Sequence, residues 1–186
     1  MSPDQFLVRY SSPLLALVIL VGASLLLDRF NPKNDIIERL GKGYFSTDQT
    51  PFYRPQQLFD MLDRYSEEDR RAHVRFIYLD LIYPLIYSVT AAILLAYLLP
   101  VLVPPLPARF TYLSLLPFAV AVFDYLENLS LLYILQRYGA NNRPFGMACF
   151  SSVMTTSKLF LMYATAALFL IGLVTLVVKG LRAARR

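Results

Sequence analysis

Asp124-Tyr125-Leu126-Glu127-Asn128 sits inside a long apolar run, Phe110 to Leu135, and its reading decides the fold. Phe110–Phe123 and Leu129–Leu135 carry no side chain charged at neutral pH. At about 1.5 Å per residue such a run crosses the ~30 Å hydrocarbon layer of a bilayer. Two carboxylates then lie within lipid. A charge there costs at least a few kcal/mol, so it faces the bundle interior and serves a purpose. Positions 124, 127 and 128 are i, i+3 and i+4 and share one helix face. The competing reading of that face is glue between spans.

Composition agrees with a membrane setting. The chain has 186 residues, 56% of them hydrophobic, and its mean hydropathy is +0.48. The apolar residues come in blocks, as in membrane proteins. The net charge of +5 gathers partly at Lys179, Arg182, Arg185 and Arg186. Beside an apolar run this tail reads as a cytoplasmic anchor and not as a nucleic-acid patch. A single cysteine, Cys149, excludes an intrachain disulfide and a multi-cysteine zinc site. The sequence calls for no metal and no cofactor. His73 is the lone histidine, and the carboxylates alone would have to complete a site around it.

The expected fold is all-α, a polytopic four-transmembrane-helix bundle in a single domain. Its spans are placed at about 6–28, 76–99, 110–136 and 150–178, with an outside loop over 29–75 and a basic tail over 179–186. Ser2 and Pro3 start the first helix. A cleavable signal peptide is the rival there, but Ser24 is followed by more leucine, which suits continued helix. In the loop, Asp35–Leu40 reads as a short helix ended by Gly41 and Gly43. A second short helix begins at Pro55, with Leu58, Phe59, Leu62 and Tyr65 as its apolar stripe. This segment is expected to lie against the membrane and cover the bundle.

Ser66-Glu67-Glu68-Asp69 is a capped helix start, and the helix is expected to run to Leu99 with a kink at Pro84. Prolines 100, 104, 105 and 107 end it. With the tail inside, four spans put both termini in the cytoplasm and the 29–75 loop outside. Asp80, Glu127 and Lys158 then meet at similar depth, with Asp124 below them. Asp80 and Glu127 are the candidate acid–base pair. Lys158 tunes Glu127, and Asp124 and Asn128 support it. Tyr83, Tyr87, Thr155 and Thr156 rim the pocket. The plain alternative for Lys158 is snorkelling from the start of an apolar run.

The layout resembles the membrane family of emopamil-binding protein and the sigma-2 receptor, the EXPERA family. The shared features are a first span, a long outside segment with short helices, a second-span acid shortly before a proline (Asp80 and Pro84), a later acid and a basic tail. The resemblance implies lipophilic amines or sterol-like molecules as ligands, with Asp80 as the matching acid. Asp124–Asn128 lies outside that family's pattern, and the chain has no tryptophan.

The expected function is a multi-pass membrane protein whose acidic pocket binds a lipophilic small molecule among membrane lipids. Acid–base chemistry on that molecule is an extension of the same reading. A scaffold binding another membrane protein is the alternative. A proton- or ion-coupled transporter subunit is weaker, since the second and fourth spans carry no acid in the inner half.

Overall fold

Nine helices order the described residues, and local sequence explains where most of them begin. The computed structural model describes residues 3–41, 44–102, 107–139 and 141–184. The Ser2 cap, Gly43, prolines 104 and 105, and Arg185 and Arg186 of the tail lie outside them. The helices are α1 Pro3–Tyr10, α2 Pro13–Arg29, α3 Asn34–Leu40, α4 Pro55–Leu62, α5 Glu67–Asp80, α6 Tyr83–Leu102, α7 Ala108–Thr111, α8 Leu116–Arg137 and α9 Phe145–Ala184. Two 3-10 turns, Thr47–Gln49 and Tyr112–Leu115, complete the regular structure, and the described residues contain no strand.

Where the sequence predicts one helix over about 6–28, the chain forms two. Ser12 leaves the helical region, and its Oγ accepts from the Leu15 backbone N–H at 3.3 Å, with Pro13 at the first helical position. The cause is local: the residue before a proline is pushed out of the helical region, and serine is ready to cap. Tyr97 of α6 holds this break by donating to the carbonyls of Val8 and Ser11.

The capped start at Ser66 forms as expected. Ser66 Oγ accepts from the Asp69 N–H, and an Asp69 carboxylate oxygen accepts from the Ser66 N–H. The kink expected at Pro84 is a break at Leu81–Ile82 between α5 and α6. Pro100 does not stop α6, which continues to Leu102. The last helix is longer than the expected 150–178. It starts at Phe145, passes Gly180 and holds 40 residues, so it is about 60 Å long.

Three helical segments are long and apolar enough to cross a membrane: Glu67–Leu102, Tyr112–Arg137 and Phe145–Ala184. A fourth is added if α2 and α3, bent by 53°, count as one span. The chain is therefore a helical, multi-pass membrane protein. Helix α8 packs on both α6 and α9, α6 also meets α9, and α1 and α2 rest on α6. Over one end lies α4. Its buried Leu58, Phe59, Met61 and Leu62 join Ile77 of α5, Leu131, Ile134 and Leu135 of α8, and Ala148 of α9 in the main apolar cluster. From the 29–75 segment, α4 and the turn Thr47–Gln49 thus pack on α9.

Candidate functional site

The site is built on α8, whose turn spacing places Asp124, Glu127 and Asn128 on one buried face. Each of the three has a different partner. Asp124 Oδ2 accepts from the Tyr87 hydroxyl at 2.8 Å, and its Oδ1 accepts from Lys158 Nζ at 3.2 Å. Glu127 Oε2 lies 2.6 Å from the same Nζ, an ion pair by distance without the direction of a hydrogen bond. Asn128 donates through Nδ2 to Asp80 Oδ2 at 2.9 Å.

Lys158 is therefore shared between two carboxylates one helical turn apart. Removing charge from water is costly, and only close pairing makes it tolerable. The snorkelling alternative does not fit, because the lysine is buried and its ammonium points at α8. Asp80 reaches the α8 face through Asn128 and not through Glu127. Among the described residues no lysine or arginine stands within ion-pair distance of Asp80.

A cavity of about 780 Å³ opens beside these groups. Leu20 and Leu27 of α2, Leu94 of α6, and Met162 and Phe169 of α9 form much of its apolar wall. Asp80, Asp124 and Lys158 supply its charge, and Tyr83 and Tyr87 stand beside them. Acids from two separate spans thus share one space. Tyr83 also ties α2 in place, its hydroxyl 2.9 Å from Ser24 Oγ.

Glu127 and Thr155 lie elsewhere. Both have 0% exposure and neither borders the cavity. Thr155 donates to the Ser151 carbonyl at 3.1 Å, and Thr156 accepts from the Phe52 backbone N–H at 2.9 Å. Asn128 stands behind Asp80 and does not line the cavity either.

Four contributors escaped sequence reasoning because all come from the loop. Asp48 and Gln49, in the turn Thr47–Gln49, form part of the cavity wall. Lys33 places its Nζ 4.0 Å from Asp48 Oδ1 and 3.6 Å from the centre of the Phe76 ring. Burial pushes the Asp48 carboxyl up. The Lys33 and Lys158 ammoniums and the Ser46 hydroxyl outweigh that and hold it below the ordinary 3.8. Tyr53 is buried on the same side, and burial raises its hydroxyl to about 12. His73 lies apart, with its Nδ1 3.1 Å from the Tyr65 hydroxyl. No group of metal-ligating side chains gathers among the described residues.

No family model, curated protein or solved structure matches the chain.

Proposed function

We propose that the chain is a membrane-embedded binding protein for a lipophilic small molecule. In this reading it is a four-helix bundle with both termini cytoplasmic and the 29–75 loop outside. One observation carries the proposal: Asp80 and Asp124, from different helices, open on the same apolar-walled cavity, and Asp80 has no cationic partner among the described residues. An apolar pocket with a few convergent polar groups is the usual form of a small-molecule site. The apolar body would lie along Leu20, Leu94 and Phe169, with a positive or hydrogen-donating end toward Asp80. The likeness to the EXPERA family is part of this proposal, and the place of Asp80 ahead of Pro84 supports it.

Acid–base chemistry would use Asp80 at the ligand. Glu127 would act from behind Lys158 by setting how firmly the ammonium holds Asp124. The scaffold alternative is disfavoured, since Asp124 and Glu127 are buried and turned toward α6 and α9.

The test is purification in mild detergent followed by solvent extraction and mass spectrometry. Wild type should carry a lipophilic molecule beyond the bulk lipids. Leu94→Trp, which fills the cavity, should lose it, and Asp80→Asn should retain less of it, with helix content preserved in both. Identical extracts from all three proteins would sink the reading.

A further inference from the structure

We propose that the cavity takes an amphiphile with one apolar tail, which enters sideways from the lipid between α2 and α9. The inference rests on the binding reading of the cavity and adds the class of molecule, its orientation and its route. Polarity along the wall is the first support. The loop end of the cavity holds Asp48, Gln49, Asp80 and Lys158, and the opposite end holds Leu94, Pro117 and Phe169. Thr90 and Thr165 also line it, but their hydroxyls donate to the backbone carbonyls of Ala16 and Leu161. A ligand therefore lies with its polar head toward the loop and its tail away from it.

Length and volume are the second support. Tyr83 and Leu94 both border the cavity, and at about 1.5 Å per residue α6 carries the wall over ~16 Å. That is close to one leaflet, half of the ~30 Å hydrocarbon layer. The volume of about 780 Å³ falls within the ~300–1,000 Å³ usual for small-molecule pockets. Both suit one leaflet amphiphile with a single tail, held as it lies in the bilayer.

The third support is a gap between helices. Helix α2 rests on α6, where Thr90 donates to the Ala16 carbonyl and the Tyr83 hydroxyl meets Ser24. Among the described residues it makes no packed interface with α9, although both helices wall the cavity. On α9 the wall ends at Met162 and Tyr163, which are 42% and 65% exposed. Entry there spares the tail a passage through water. It also puts selection at the head. Lipid tails are as apolar as leucine, so moving a tail from lipid to Leu94 and Phe169 gains little. Asn128 donates to Asp80 Oδ2, which leaves Oδ1 to accept from a hydroxyl or ammonium of the ligand. A hydrogen bond to a charged group is stronger than one between neutral groups.

The test uses a long-chain alcohol with a photoreactive diazirine, placed at the tail end or beside the hydroxyl, in vesicles that hold the full chain. After illumination, peptide mass spectrometry should find the tail-end probe on Leu94, Pro117 or Phe169. The head-end probe should be on Leu27, Gln49 or Tyr83. A reversed order would overturn the inference and leave the binding reading standing, as would equal attachment of a two-chain phospholipid carrying the same group. Absence of both alcohols from the wall overturns it too, and solvent extraction then decides the binding reading by itself. For the route, Leu20→Cys and Tyr163→Cys in a Cys149→Ser background are joined by a bis-maleimide before the probe is added. Joining should abolish the wall labelling that the unjoined form shows, and unchanged labelling would rule out sideways entry. If the unjoined form does not label, Ala166→Trp, which narrows the same mouth, replaces it with the same two outcomes.

Discussion

The two halves of α9 are one continuous helix in two surroundings. Its buried residues up to Thr165 include Ser151, Ser152, Thr155 and Lys158, and beyond Thr165 only Gly172 is buried. The most apolar 18-residue stretch of this helix is 11% buried, against 50% for the Tyr112–Arg137 span. Apolar length carries a helix into the membrane but does not choose its neighbours, because lipid tails are as apolar as leucine. The polar half makes the choice through Lys158. Replacing it, as Lys158→Met, leaves Asp124 and Glu127 buried without a counter-charge. The expected loss is about 3–5 kcal/mol, read as a lower melting temperature in detergent or failure to fold. Adding Asp124→Asn and Glu127→Gln to that variant should recover much of it. A loss below about 1 kcal/mol from Lys158→Met alone would break the contrast, since an exposed pair has that value.

The second half approaches α6 closely at Gly172, and that contact allows a smaller test. A Cβ added at Gly172 would meet Leu98 Cβ at 3.2 Å. Small residues let membrane helices approach in this way. Gly172→Leu should therefore separate α9 from α6 and cost about 1–3 kcal/mol, the usual effect of overpacking. A melting temperature equal to wild type would show that this half stands free in lipid, which would sharpen the contrast further.

Apolar run length gave the three crossing segments directly. The i, i+3, i+4 spacing gave the acidic face, and relative depth brought Lys158 to it. Two features were illegible for physical reasons. Asp124 and Glu127 are one turn apart, so depth alone cannot say which faces a cavity; that depends on how α8 is rotated against α6 and α9. The loop contributors Lys33, Asp48 and Tyr53 follow no periodicity, because their place is set by tertiary packing. The break at Ser12–Pro13 was readable in principle: serine before proline is a helix start, but the surrounding leucines outweighed that signal.

The smallest expected effect concerns Asp48, the loop residue that brings charge to the polar half of α9. Its carboxyl is held below 3.8 in the folded protein, so the unfolded chain binds that proton more readily. The stability it contributes is present above 3.8 and is lost as pH falls through the lower folded value. Its nearest ammonium, Lys33, is 4.0 Å away and its side chain is 37% exposed, so solvent screens the pair and the contribution stays below about 1 kcal/mol. Melting curves in detergent should show Asp48→Asn slightly less stable than wild type at neutral pH. The difference should close as the solution is acidified below 3.8. A difference that persists in acid would mean that Asp48 serves there through packing, and that charge reaches the polar half of α9 from the membrane helices alone.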